Sequence, residues 1–257
     1  MKILNGRELA GFIKERQAHV VRGLKQSPKL LIIRDSDNPV IMKYVGLKKR
    51  YGEDIGVEVE DFCSSDYEKI AEKIASANKD DNVKGIIIQL PLSDKEKTDE
   101  LCNMIAPEKD VDGLGASGKY DSATATAINW LLAGYDIKLD GQKIAIVGRG
   151  KLVGAPLYKM FVNSGYDVSL FHRGSDLTKL KQYVIIITAT GVPGLILDDM
   201  VGGGTVIVDA GTASEGGVLK GDVSDAVRER SDLGAITPVT GGVGPLTIAA
   251  LFEHVIK

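Results

Sequence analysis

Tyr44 and Lys48 stand four residues apart in a stretch with helical apolar spacing, so their side chains share one face. Taken alone such a pair is most often a solvated helix surface, and Lys49 and Arg50 beside it strengthen that reading. Two further polar residues give it chemical meaning. Gln89 lies at the carboxyl end of an apolar run and would be an unsatisfied polar group unless something pairs with it. Asp112, in Lys109-Asp-Val-Asp-Gly113, sits in an irregular segment of the kind that reaches a crevice. A lysine held on an apolar wall near a neutral amide has its charged form disfavoured, which prepares it for proton transfer near neutral pH.

A second group of candidates is built from glycine. Residues 143–156 read Lys-Ile-Ala-Ile-Val-Gly-Arg-Gly-Lys-Leu-Val-Gly-Ala-Pro, an apolar strand running into a turn and then a helix. Gly148 can make the tight turn, Gly150 lets backbone N–H groups approach a pyrophosphate, and Gly154 lets the helix pack against the strand. The helix N-terminus adds partial positive charge. The spacing is one residue longer than the usual dinucleotide fingerprint, so its position between strand and helix carries the argument. Thr190-Gly191 and Gly211 follow two later apolar runs, at strand ends where open parallel sheets bind ligands; each alone is more often a plain turn. Where an NAD site usually presents an acid, this chain has His172-Arg173. With Arg149 in the glycine turn, two guanidinium groups could meet a 2′-phosphate, which favours NADP over NAD. The alternative reads both arginines as solvated surface, and Ser175 is a weaker candidate for a hydroxyl contact.

These residues need elements to position them. Asn5 to Leu24 has helical spacing with Asn5 as cap and Glu8 three residues on. Strands are predicted over 29–34, 57–62 and 83–90, alternating with helices over 40–54, 66–78 and 94–105. Residues 107–118 read as irregular, and a domain boundary falls near them. A connecting helix over 125–132 leads to a second alternation: strands 144–147 and 167–171, a helix 153–163 stopped by Gly165, apolar runs 184–188 and 205–209, and a last helix 247–256. Strands alternating with helices imply parallel sheets, so the fold class is α/β, with two domains around a cleft and a Rossmann-type sheet in the C-terminal one.

At 257 residues the chain can bury two modest cores. A net charge of -3, with both signs interspersed, supplies no basic patch for nucleic acid. Two cysteines and three scattered histidines make a disulfide framework or a structural metal improbable. No apolar run reaches membrane-spanning length and the N-terminus has no apolar signal core, so a cytoplasmic location without membrane contact is expected.

The residues Tyr44-Val-x-x-Lys48, Gln89-Leu-Pro-Leu92, Lys109-Asp-Val-Asp-Gly113, Val147-Gly-Arg-Gly-x-x-Val153-Gly-x-Pro156 and Thr237-Pro-Val-Thr-Gly-Gly-Val-Gly-Pro245, in that order over nearly the whole chain, resemble the bifunctional methylenetetrahydrofolate dehydrogenase/methenyltetrahydrofolate cyclohydrolase family. The resemblance implies NADP-dependent oxidation of 5,10-methylenetetrahydrofolate and hydrolysis of the methenyl product to 10-formyltetrahydrofolate. It implies that Lys48 transfers protons, that Tyr44 stacks on the aminobenzoyl ring, that Gln89 bonds Lys48 and that Asp112 holds the amino-pyrimidine edge of the pterin. Leu90, Pro91, Gly241, Gly242 and Pro245 would border the folate. Gly148, Arg149, Gly150, Val153, Gly154, His172, Arg173, Ser175, Thr190, Gly191, Gly211 and Thr237 would border NADP. It also implies a homodimer and residues 1–117 as the folate domain, with 247–257 packed back on it and 118–246 as the NADP domain.

The chain departs from the family pattern in places. Gly150 and Arg173 replace serines, residues 123–127 read Ala-Thr-Ala-Thr-Ala in place of Cys-Thr-Pro-x-Gly, Thr240 replaces a proline, and Ile41 stands where a serine often precedes the tyrosine. Gly150 forgoes a hydroxyl contact to phosphate, and Thr240 and Ile41 are expected to loosen folate contacts. The chain stops soon after the last helix, which is expected to weaken domain anchoring. Two other readings compete: a dehydrogenase of the same architecture acting on another small substrate, which would not require Asp112 and Gln89 together, and a non-catalytic folate- or NADP-binding protein, which would not require Lys48.

Overall fold

The computed structural model describes residues 1–211, 213–215 and 218–257. In chain order the elements are β1 (Lys2–Ile3), α1 (Gly6–Arg22), β2 (Lys29–Arg34), α2 (Pro39–Ile55), β3 (Glu58–Cys63), α3 (Tyr67–Lys79), β4 (Val83–Ile88), α4 (Lys97–Met104) and α5 (Ala123–Gly134). Then follow β5 (Ile144–Val147), α6 (Gly154–Asn163), β6 (Val168–Phe171), β7 (Ile185–Thr188), β8 (Val206–Asp209), β9 (Ala213–Glu215), β10 (Val218–Lys220), α7 (Asp225–Arg228), β11 (Ala235–Ile236) and α8 (Val243–Ile256). They divide into two compact units that are discontinuous in sequence: residues 11–123 with 248–257, and residues 1–10 with 124–247.

The unit of residues 11–123 and 248–257 holds a three-stranded parallel sheet in the order β3-β2-β4. β2 is buried along nearly its whole length, as a central parallel strand covered on both faces must be. Leu31, Ile33, Ile86 and Ile88 interdigitate with Ile70 and Ile74 of α3, all almost fully buried. Each such side chain contributes roughly 1.5–3 kcal/mol by leaving water. α2 is bounded by strong local signals: the Asn38 side chain accepts from the Val40 amide, Pro39 occupies the first turn, and Gly56 closes the far end in the left-handed region at φ 85°.

The other unit holds a six-stranded parallel sheet, β1-β11-β8-β7-β5-β6, over a core that includes Val147, Phe171, Leu180, Ile186 and Ile207. β6 and β7 flank β5 on opposite sides, so the strand order reverses at β5. That reversal opens a crevice beyond the carboxyl ends of β5 and β7.

Three boundaries differ from expectation for local reasons. α4 begins at Lys97 because residues 93–96 form a turn: Asp35 accepts from the Ser93 amide at 2.6 Å and the Tyr67 hydroxyl from the Asp94 amide at 3.1 Å. β4 ends at Ile88, just before Gln89 and the cis Leu90-Pro91 bond. α8 begins at Val243, because Pro245 falls in its first turn, where a missing N–H costs nothing. No helix among the described residues is long and apolar enough to cross a membrane.

Candidate functional site

The first cluster is assembled on α2, the end of β4 and the segment 109–113. The buried residues of α2 include Ile41, Val45, Gly52 and Ile55. Lys48 falls in that same helical stripe, three residues after Val45 and four before Gly52, whereas Lys49 and Arg50 lie on the exposed face. The Lys48 side chain is part-buried. Lys48 Nζ donates to Gln89 Oε1 at 2.7 Å. The Gln89 amide is fixed in turn, because its Nε2 donates to the Leu90 carbonyl at 3.1 Å and its backbone N–H to the Ile33 carbonyl at 2.7 Å. Tyr44 is half-buried one turn before Lys48.

Asp112 arrives by a strand-like detour. The Ile86 amide donates to the Lys109 carbonyl at 2.8 Å and Ile86 bridges Asp110 in parallel register, so the chain runs beside β4 and brings Asp112 alongside its end. Gly85 permits the approach, since a Cβ there would crowd both Val111 methyl groups and Val255. Burial pushes the Lys48 ammonium below the ordinary lysine range, and the Asp112 charge opposes that shift. Burial likewise pushes the Asp112 carboxyl up, with Lys48 acting against it and Asp110 adding to it. For both groups burial outweighs attraction and disfavours the charged form.

Two neighbours in the 109–113 motif have structural duties that sequence reasoning missed. Lys109 Nζ donates to the carbonyls of Ala77, Asn78 and Asp80 at 2.7–3.0 Å, satisfying the end of α3. The buried Asp110 carboxylate accepts from the amides of Gly113, Leu114 and Gly115. An Asp followed by Gly at the third and fifth positions is the turn signal that could have revealed the second duty.

The second cluster is the crevice beyond β5. Gly148 has φ 107°, and a Cβ on it would strike the Ala189 carbonyl. A Cβ on Gly154 would overlap the Gly148 carbonyl oxygen, so glycine is what lets α6 start against the strand. A Cβ on Gly150 would meet nothing; the fold leaves that side of the turn open. Among the described residues the backbone N–H groups of Arg149, Gly150, Val153 and Gly154 donate to no protein acceptor, and α6 has no side-chain cap. Gly150 and Val153, with Lys151 and Leu152 between them, border a pocket of about 260 Å³ whose other wall is Ala189, Thr190, Gly191, Ala210 and Gly211. A row of free donors at a helix start, beside open space, fits a pyrophosphate.

Val147 pairs with Phe171 in the register of β5 and β6, so Arg149 and Arg173 each lie two residues past one paired position. Both are exposed, and neither guanidinium makes an ion pair among the described residues. His172 Nδ1 lies 2.9 Å from the Arg173 carbonyl, and Ser175 Oγ accepts from the His172 amide at 3.0 Å, closing a tight turn.

Thr237 is fully buried and its polar groups are engaged: its amide donates to Ile207, its hydroxyl accepts from the Asp209 amide and its carbonyl accepts from Arg228. The region of Gly241 and Gly242 is anchored by the Arg7 amide, which donates to the Gly241 carbonyl at 2.9 Å. Around Thr237 lies a buried network absent from the sequence reading. Asp209 accepts from the amides of Gly211, Asp222 and Val223 and pairs with Arg228, while Asp222 accepts from the Thr188 hydroxyl at 2.7 Å and the Thr190 amide at 2.6 Å. It fixes the crevice floor. Among the described residues no group of three or more His, Cys, Asp or Glu side chains could hold a metal ion.

A family model described as tetrahydrofolate dehydrogenase/cyclohydrolase, catalytic domain, matches residues 4–112, and one described as the NAD(P)-binding domain of the same enzyme matches residues 122–257. The chain is 36% identical over 276 residues to the bifunctional protein FolD of Staphylococcus carnosus, covering 99% of this chain and 95% of that one. It is similar to the crystal structure of the bifunctional FolD methylenetetrahydrofolate dehydrogenase/cyclohydrolase of Campylobacter jejuni, with 34% identity, a TM-score of 0.93, and 100% and 97% of the two chains covered. The Trypanosoma brucei FolD, solved with NADP cofactor and an inhibitor, superposes with a TM-score of 0.91 at 25% identity, covering 98% and 95%.

Proposed function

The chain belongs to the tetrahydrofolate dehydrogenase/cyclohydrolase family, and from that membership we propose that its Lys48, Gln89 and Asp112 take the folate while its glycine crevice takes NADP. The enzyme is bifunctional: it oxidises 5,10-methylenetetrahydrofolate to 5,10-methenyltetrahydrofolate with NADP, then hydrolyses that product to 10-formyltetrahydrofolate. The observation that carries the site assignment is the part-buried Lys48 ammonium bonded to a neutral amide at 2.7 Å and interacting with the Asp112 charge.

The chemistry NADP would supply when bound is an acceptor for the hydride of the folate's methylene bridge. Arg149, Gly150, Val153 and Gly154 hold its pyrophosphate through their backbone donors, and Arg149 and Arg173 meet its 2′-phosphate. Thr190, Gly191 and Gly211 line the way toward the nicotinamide, with the backbone around Thr237 at its border; His172 and Ser175 shape the turn that presents Arg173. On the folate side Asp112 accepts from the amino-pyrimidine edge, Tyr44 stacks on the aminobenzoyl ring, and Leu90, Pro91, Gly241, Gly242 and Pro245 border the substrate.

The methenyl product is a cation, which a charged lysine would repel. Burial of Lys48 therefore serves the second step. Neutral Lys48 takes a proton from the attacking water as its oxygen bonds the methenyl carbon. It returns that proton to N5 as the carbon–N5 bond opens, and the remaining hydroxyl proton leaves to solvent as the formyl group forms. Gln89 holds Lys48 in line and, being uncharged, does not trap its proton.

We assign the folate to the unit of residues 11–123 with 248–257 and NADP to the unit of residues 1–10 with 124–247, which moves residues 1–10 out of the folate half expected from the sequence, and take the enzyme to be a cytoplasmic homodimer serving purine synthesis, with no nucleic-acid partner. The deciding assay follows methenyl absorbance during incubation with methylenetetrahydrofolate and NADP or NAD. Appearance and then decay, faster with NADP, is expected. Binding of both ligands without any absorbance change would instead indicate a non-catalytic binding protein.

A further inference from the structure

The mechanism above leaves unused a buried imidazole on the last helix. His254 of α8 is 6% exposed, and its Nδ1 lies 2.8 Å from the carbonyl oxygen of Val111, the residue before Asp112. A carbonyl only accepts, so Nδ1 carries the proton. The ring also stacks on Tyr120, with centroids 4.4 Å apart and planes at 12°. Tyr120 lies on the return limb of the same segment, whose Ala123 amide donates to the Asp112 carbonyl at 3.2 Å. One side chain thus grips the segment on both limbs around Asp112: a directional hydrogen bond on the outgoing limb, a flat apolar contact on the returning one.

Other tethers fix the segment elsewhere. Lys109 ties the outgoing limb to α3, and Asp110 organises residues 113–115. Neither reaches the peptide between Val111 and Asp112. That peptide's orientation sets the direction in which the Asp112 side chain leaves the backbone, and its carbonyl is held by His254.

We propose that His254 is a positioning residue for the folate site, acting through the Val111 carbonyl to aim the Asp112 carboxylate. The proposal rests on the reading that Asp112 binds the folate. It separates two chemical contributions of one side chain, the Nδ1 donor and the ring. His254→Asn offers an amide N–H at about the reach of Nδ1 without the ring, and His254→Phe keeps the ring without the donor.

The experiment measures KM for methylenetetrahydrofolate and for NADP, with kcat, in His254→Phe, His254→Asn, Asp112→Asn and the double variant His254→Phe/Asp112→Asn, alongside thermal melts. His254→Phe is expected to raise the folate KM about three- to tenfold, the scale of one lost hydrogen bond, with the NADP KM unchanged. His254→Asn is expected to recover most of the folate KM. Because His254 acts through Asp112, His254→Phe should add nothing to the folate KM once Asp112 is asparagine. A folate KM that rises by the same factor in both backgrounds, or a parallel rise in the NADP KM, would reduce His254 to a packing residue and overturn the proposal. If Asp112→Asn leaves the folate KM unchanged, the assignment of Asp112 fails; if it raises KM while His254→Phe does not, only the His254 proposal fails. Should His254→Phe fold poorly, the comparison of His254→Asn with Tyr120→Leu decides: the proposal requires the donor-retaining variant to keep the folate KM within about twofold of the parent enzyme.

Discussion

The cluster around Lys48 is made of polar side chains, two of them with titrations shifted by burial, whereas the crevice around Gly148 is made of backbone from which side chains have been removed. In the first, a lysine placed in the apolar stripe of α2 meets a fixed amide and an acid, and burial outweighs their mutual attraction. In the second, glycines at 148 and 154 let a helix start against a strand and leave amide donors free. The first region should therefore be sensitive to functional groups and the second to volume.

The sharpest break is Lys48→Met, which keeps an unbranched apolar stem and removes the amine. Methenyl hydrolysis should fall by about 10²- to 10⁴-fold, the range of a lost proton-transfer group, and its pH dependence should disappear. NADP affinity, measured by fluorescence titration, should not change. A variant with unaltered hydrolysis and pH profile would remove Lys48 from the chemistry.

Gly154→Ala tests the other side with a single methyl group. The new Cβ would overlap the Gly148 carbonyl, so α6 must shift, costing about 1–3 kcal/mol of stability and roughly tenfold or more in NADP affinity. Methenyl hydrolysis, which consumes no cofactor, should survive. Gly150→Ser is the matched control, because its Cβ meets nothing; a loss as large as that of Gly154→Ala would show that free space at the turn does not govern binding.

Arg173→Ala should weaken NADP by about tenfold while leaving NAD nearly untouched, and the loss should shrink as salt rises. An unchanged NADP-to-NAD ratio would move the 2′-phosphate away from this residue.

The finest distinction is electrostatic. If hydrolysis needs neutral Lys48, its rate rises with pH through the Lys48 titration, which burial already holds below the ordinary lysine range. The Asp112 charge raises that titration, so Asp112→Asn should displace the midpoint to lower pH. A displacement to higher pH would contradict the coupling.

Much of this contrast was legible in the chain because it depends on local patterns. Apolar runs marked the strands nearly to the residue, β2 and β5 among them, since parallel strands covered on both faces leave an uninterrupted signal. Lys48, Gln89 and Asp112 stood out as polar residues in or beside such signals, and the glycine turn lay between a strand and a helix. What escaped depends on contacts distant in sequence. β1 and β11 are two residues each and exist because they pair with one another and with β8. The Asp209, Asp222 and Arg228 network joins loops up to 34 residues apart, and the bond from His254 to Val111 spans 143. No window of the sequence contains both partners, so no periodicity could announce them.

The discontinuous division of the chain bears on how the protein is made. The unit containing Lys48 takes in residues 248–257, and Phe252 there is fully buried, stacked on Tyr51 with centroids 5.0 Å apart. A ribosome that has translated α1 to α4 has therefore not yet supplied everything that this core needs. Phe252 and its helix follow the other unit in the chain, so the unit that is mostly made first can complete its packing only after residues 124–247 have been made, and removal of residues 248–257 would damage the early half of the protein rather than the late one.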